Sequence, residues 1–193
     1  AVYDLGGGTF DATLLRKTAT SFEILGSPRG DDRLGGVDMD EMVLDHVVRS
    51  MGPRWPDVAD DDAVGLAALA QVRAGAVDAK EALSSDTQAT VPVVLPGCSG
   101  EVLISRSELE QMVAPVVLRT VDLVRQVAGS ADVAPDELDA VLLVGGASRM
   151  PLVAELVTSE LGRPVVVDAH PKYAVCLGAA IAVPVSRTMP PPA

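Results

Sequence analysis

Apolar positions along this chain change their period several times, and each change marks an element. Val2, Tyr3 and Leu5 run into three glycines, and strand-like residues resume from 9 to 16. Together with residues 21–26 they predict an antiparallel meander joined by short polar turns. A loop from Gly30 to Gly36 comes next. Asp38 and Glu41 then form a capping-box pattern that opens a helix reaching about residue 50. Met39, Met42, Val43 and Val47 share one face of it, with His46 at the surface or core edge. After the break at Pro53-Arg54-Trp55-Pro56, the acidic run 57–62 reads as the solvated start of a long alanine-rich helix over 61–83. Strands at 88–95 and 101–104 flank a turn at 96–100. Ser107 and Glu110 predict a second capping box, heading a helix to about residue 127.

The last third has another character. Residues 140–144 are continuously apolar, as in a strand buried on both faces. Gly145 and Gly146 stand at its carboxyl end, succeeded by a helix over 149–161, a short strand at 165–167 and a helix over 172–182. Strand, Gly-Gly, helix, strand, helix is an α/β unit whose ligand crevice lies at the strand carboxyl ends. Residues 184–193 form a Pro-rich tail, and no internal repeat is visible. The elements sort into two lobes: a larger one from 1–35 and 113–183, and a smaller helix-plus-hairpin lobe, 36–112, inserted between them.

Composition narrows the functional classes. With 193 residues, 48% of them hydrophobic and only 3% aromatic, the core is built mostly from Val, Leu and Ala. A net charge of −12 excludes a nucleic-acid or anionic-membrane surface as the main partner. The longest apolar stretch, 174–183, is too short to span a bilayer. Two distant cysteines suggest reduced thiols in a cytoplasmic protein. Cys98, in a Pro-Gly-Cys-Ser-Gly turn, is expected to be accessible; Cys176, in an apolar helix, is expected to be inert. Residue 1 already lies in a strand-like run without an initiator Met, so the chain is expected to be a piece of a longer protein.

Chemistry concentrates at Asp4-Leu5-Gly6-Gly7-Gly8-Thr9-Phe10-Asp11. Three glycines let main-chain N–H groups close on a phosphate. Two carboxylates and a hydroxyl beside an anion site make sense if Mg²⁺ lies between Asp4 and the phosphates, with Thr9 and Asp11 orienting an attacking water. No Gly-Lys-Ser/Thr succeeds the glycines, so this is not a P-loop. The residues after Gly8 are strand-forming rather than helical, unlike a dinucleotide fingerprint. Strand, glycine turn, strand is the phosphate hairpin of actin-like ATPases.

The octapeptide resembles the second phosphate loop of the DnaK-type 70-kDa heat-shock chaperones, and the resemblance covers nearly the whole chain. Leu34-Gly35-Gly36-Val37-Asp38-Met39-Asp40 is similar to that family's L-G-G-E-D-F-D. Ala79-Lys80-Glu81-Ala82-Leu83-Ser84-Ser85 resembles A-K-x-x-L-S-S, and Leu143-Val144-Gly145-Gly146-Ala147-Ser148-Arg149-Met150-Pro151 resembles L-V-G-G-S-T-R-I-P. Gly178-Ala179-Ala180 fits a late G-A-A.

This resemblance implies an α/β, actin-like (ribonuclease H-like) ATPase lobe carrying a small inserted α+β subdomain. It implies binding of ATP or ADP with Mg. Asp4 would hold the water shell of the Mg²⁺, Gly6, Gly7 and Gly8 would donate to the β- and γ-phosphates, and Thr9 and Asp11 would face the γ-phosphate. Lys80 and Ser84, four apart on a helix, would reach the ribose and adenine edge. Gly145 and Gly146 would let the strand end approach the nucleotide, and Arg149 would stack on the adenine. A nucleotide-exchange factor and a J-domain co-chaperone are the implied partners. The family's first lobe, with its own phosphate loop, is not in this stretch, so hydrolysis by it alone is expected to be poor.

Several positions depart from the family pattern. Val77 stands where a ribose-binding Glu is usual, and losing one charge-assisted hydrogen bond would weaken affinity roughly 10- to 100-fold. Glu81 replaces an occasional second adenine-stacking Arg, and Ala147 lacks a hydroxyl. His170-Pro171-Lys172-Tyr173 resembles N-P-D-E with both acids replaced. These departures keep open a pseudo-ATPase scaffold that holds nucleotide weakly. Another actin-like ATPase, such as a sugar kinase or filament protein, would share the fold but leaves the Lys80, Ser84 and Arg149 motifs unexplained.

Overall fold

The computed structural model describes residues 1–19, 21–167 and 173–182. The expected meander is present. β1 (Val2–Leu5) pairs antiparallel with β2 (Phe10–Lys17), which pairs antiparallel with β3 (Phe22–Asp31). After two helices, α1 (Gly36–Met51) and α2 (Ala63–Ala82), comes a separate hairpin of β4 (Gln88–Leu95) and β5 (Cys98–Ser105). The long α3 (Arg106–Ser130) leads to β6 (Val141–Val144), α4 (Pro151–Leu161), β7 (Val165–Val167) and α5 (Ala174–Ala182). The main sheet is mixed, in the order β3-β2-β1-β6-β7, with β1, β6 and β7 parallel.

Alternation explains how the sheet finds its core. Tyr3, Leu5, Phe10, Ala12 and Leu14 are all buried on one face, against which α3 packs through β2 and β3. The Tyr3 and Phe10 rings meet edge to face, centroids 4.7 Å apart. α2 packs on the β4–β5 hairpin and on α1, burying Val72, Ala76, Val91 and Val93. The scarcity of aromatics is met by valine: Val113, Val117, Val121, Val124 and Val127 form the buried stripe of α3, spaced three or four residues apart as a helix face requires.

Four local expectations are corrected. β3 runs on to Asp31 instead of ending at Gly26, because Gly26 adopts φ +63° inside an irregular stretch opposite Thr13, after which pairing resumes at Arg29. The capping box of α3 is Ser105 with Glu108, not Ser107 with Glu110. The first helix opens earlier than foreseen, with Gly35 as its cap residue and the Gly35 N–H donating to Asp38 Oδ2 at 2.8 Å. The Cys98 expectation is reversed. The turn is only Pro96-Gly97, with Gly97 at φ +75°, so Cys98 pairs with Leu95 in the hairpin and is buried. Cys176 is exposed on α5, its thiol donating to the Tyr173 carbonyl. The long helix starts as foreseen, with Asp62 capping it by accepting from the Gly65 N–H at 3.0 Å. His170, Pro171, Lys172 and the tail 184–193 lie outside the described residues.

Candidate functional site

β1 and β6 run parallel, with Asp4 beside Val144, so their carboxyl ends open at the same edge. The chain leaves β1 through a tight turn closed by the Gly6 N–H donating to the Thr9 carbonyl at 2.9 Å. It leaves β6 through Gly145, whose φ of +88° suits glycine alone. A Cβ there would overlap the Leu5 carbonyl and meet Asp4 Oδ1 at 2.6 Å. The glycine therefore lets two strand ends close together under one crevice.

That crevice is a cleft of about 500 Å³. Its floor is Asp4, Gly6, Gly7 and the 144–147 segment. One wall is the start of α1 (Gly36, Val37, Asp40), and the other is the last turns of α2 and the short link beyond it (Val77, Lys80, Glu81, Ser84). Separated stretches of sequence thus converge. Of the expected site residues, Asp4, Gly6, Gly7, Lys80, Ser84, Gly145 and Gly146 line it. Gly8, Thr9, Asp11 and Arg149 do not. Gly8, Thr9 and Asp11 are exposed, Asp11 facing Asp4 across β1 and β2, and Arg149 is exposed on the Ala147–Arg149 turn.

The glycine hairpin is held from behind. The Gly36 N–H donates to the Gly6 carbonyl at 3.0 Å, and the Val37 N–H to the Gly7 carbonyl at 2.7 Å. A Cβ on Gly35 would lie 2.6 Å from the Gly8 backbone, so the loop before α1 is stacked directly on the turn. The Gly7 and Gly8 amides donate to no group among the described residues, which leaves two N–H groups for an anion.

The electrostatics of Asp4 bear on a cation. Burial first, and the nearby Asp11 carboxylate second, raise its pKa above the ordinary aspartate value. A divalent ion beside it would relieve both effects. Among the described residues no group of three or more His, Cys, Asp or Glu could hold a metal by itself. The Asp4 carboxylate next to free backbone donors suits Mg²⁺, which keeps most of its waters and shares phosphate ligands.

Lys80 is more engaged than expected. Its ammonium lies 2.6 Å from Asp40 Oδ1 and donates to the Gly36 carbonyl at 3.1 Å. Sequence reasoning missed Asp40, although it closes the Leu34–Asp40 motif, because its partner lies on a different helix.

A family model described as Hsp70 protein matches residues 1–189, almost the entire chain. The chain belongs to the Hsp70 family. The chaperone protein HscA homolog of Methylibium petroleiphilum is 41% identical over 181 residues, covering 94% of this chain. This Hsp70-family chain spans 28% of the length of that relative. Its mixed sheet and α/β content fit a fragment of an Hsp70 actin-like ATPase domain. Among the described residues no helix is long and apolar enough to cross a membrane.

Proposed function

We propose that this chain is the ATP-binding half of an Hsp70-type chaperone ATPase domain. The observation that carries this reading is the cleft at the joined ends of β1 and β6, where the glycine hairpin, the α2 end and the Gly145-Gly146 turn converge. The Gly7 and Gly8 N–H groups of the turn cradle the β- and γ-phosphates, whereas the Gly6 N–H, expected to join them, is spent on the Thr9 carbonyl that closes the turn. Asp4 holds the water shell of Mg²⁺, which supplies neutralisation of phosphate charge. Thr9 and Asp11 orient water at the γ-phosphate. Ser84 and Arg149 border the adenosine, Arg149 stacking on the ring, while Lys80 on the same wall is engaged by Asp40 and the Gly36 carbonyl. Residues 1–35 and 113–183 make the larger subdomain and 36–112 the smaller one. Hydrolysis needs the first lobe of the domain, which completes the phosphate clamp. The protein works in the cytoplasm with a nucleotide-exchange factor and a J-domain co-chaperone.

Calorimetric titration with Mg-ADP and Mg-ATP, beside Arg149→Ala, tests the reading. Binding that weakens several-fold in the variant supports it, since a cation stacked on a ring contributes roughly 0.5–2 kcal/mol. No binding at millimolar nucleotide would remove it for the isolated chain. Val77 on the cleft wall favours a second reading, a scaffold that holds nucleotide weakly. Val77→Glu separates the two: affinity that rises at least tenfold marks a weakened site, and unchanged affinity removes the case for the scaffold.

A further inference from the structure

We infer that Asp40 is a positioning residue for the phosphate hairpin, acting through Lys80 as a strut between α2 and the start of α1. This rests on the nucleotide reading above, but its geometry stands apart from any ligand. The Lys80 ammonium has three protons, and the structure commits it twice: to Asp40 Oδ1 at 2.6 Å and to the Gly36 carbonyl at 3.1 Å. Both side chains are largely buried, 11% and 17% exposed. The Asp40 Oδ1 is buried and has no donor other than this ammonium among the described residues. Removing one charge of such a pair leaves the other buried without compensation.

Lys80 grips the peptide that supports the hairpin. It holds the Gly36 carbonyl, while the Gly36 and Val37 N–H groups hold the Gly6 and Gly7 carbonyls. Fixing those carbonyls fixes the planes of their peptides, and so the direction of the Gly7 and Gly8 N–H groups. Gly36 is tightly enclosed at this crossing: a Cβ there would sit 3.3 Å from Lys80 Nζ and 3.6 Å from both Ala147 Cβ and the Gly6 carbonyl oxygen. Lys80 therefore serves the phosphates through backbone, and its charge is neutralised by Asp40 before any nucleotide arrives. A lysine free to meet the ribose would need neither partner.

The test uses the full chain with Asp40→Asn, Lys80→Met and the double variant. In ligand-free protein, amide hydrogen exchange measured by NMR should speed up about tenfold at Gly36 and Val37 in each single variant, with amides in α3 unchanged. The double variant should be no faster than the singles, because the two residues act as one unit. Mg-ADP should then bind about tenfold more weakly in each single variant, while adenosine, which lacks phosphates, changes less than about twofold. Unaltered exchange at Gly36 and Val37 would overturn the proposal. So would equal loss of adenosine and Mg-ADP in Lys80→Met with no loss in Asp40→Asn, since Lys80 would then touch the nucleoside directly. Failure of the parent chain to bind Mg-ADP would remove the nucleotide reading alone, because the exchange measurement needs no ligand. Lys80→Met approaches the strut from its other end should Asp40→Asn fail to fold.

Discussion

Asp4 and Asp11 stand directly opposite each other across the β1–β2 pair. Like charges at facing positions of antiparallel strands repel, and the Asp11 charge joins burial in raising the Asp4 pKa. Proton linkage turns this into a statement about stability. A carboxyl whose folded pKa is raised binds its proton more tightly folded than unfolded. Stability is therefore lost as pH rises from the ordinary aspartate value through the higher folded one. Asp4→Asn should raise the melting temperature of ligand-free protein at neutral pH and leave it unchanged at pH values below that window. The same variant should lose the Mg²⁺ dependence of nucleotide binding. Thermal melts across pH, and titrations with and without EDTA, check the two halves separately.

Gly145 tests the joint between the two strand ends. Its φ of +88° disfavours any L side chain, and an added Cβ would run into the Leu5 carbonyl and Asp4 Oδ1. Strain of this kind costs about 1–3 kcal/mol before the clash is counted. Gly145→Ala should destabilise the chain by at least about 2 kcal/mol in urea and weaken nucleotide binding by displacing Asp4. Gly162 at the end of α4 also has positive φ (+64°), but nothing lies within 4 Å of a Cβ there. Gly162→Ala should cost less and leave binding untouched.

The element order and the location of the crevice were readable in the sequence because both rest on local signals. Apolar period distinguishes strand from helix, and paired glycines mark strand ends. The features that escaped depend on distant partners. Ser105-Arg106-Ser107-Glu108 and Ser107-Glu108-Leu109-Glu110 are overlapping capping patterns, and the choice falls to Ser105 because that residue pairs with Gln88 and ends the hairpin. Cys98 is buried for the same reason: Leu95 lies opposite it, which shortens the expected turn. The extra length of β3 depends on a left-handed Gly26 packed against Ser130 and Ala131, a contact between remote parts of the chain. Lys80 stands in a legible motif, but its pairing with Asp40 is a fact of tertiary packing.

The α3 cap yields a pH prediction of opposite sign to that of Asp4. Glu108 Oε2 accepts from the Ser105 hydroxyl at 2.6 Å and from the Ser105 N–H at 2.8 Å, and these bonds hold its pKa below the ordinary glutamate value. A carboxylate with depressed folded pKa contributes stability above its unfolded value, lost as pH falls through the folded one. Glu108→Gln should therefore lower stability slightly at neutral pH and converge on the parent below the glutamate range, flattening the acid limb of the profile. Urea midpoints measured from neutral pH down past that range decide it. An unchanged acid limb would mean the cap contributes nothing through its charge.

The buried pair of Tyr3 and Thr120 allows its proton to be assigned. The Thr120 hydroxyl donates to the Val117 carbonyl at 2.6 Å, and it lies 2.6 Å from the Tyr3 hydroxyl. A hydroxyl has one proton; that of Thr120 is spent on the helix, so Tyr3 is the donor between the two. Burial also pushes the Tyr3 pKa well up, which keeps the phenol neutral and able to donate. The two deletions are therefore unequal. Tyr3→Phe removes a donor and leaves Thr120 with a vacant lone pair, costing about 1 kcal/mol. Thr120→Val leaves the Tyr3 hydroxyl buried with no acceptor, costing about 2–3 kcal/mol. In Tyr3→Phe/Thr120→Val no polar atom of the pair is stranded, so the double variant should lose less than the sum of the singles by at least about 1 kcal/mol. Additive losses in urea unfolding would show that water reaches the pair and that β1 is not sealed against α3.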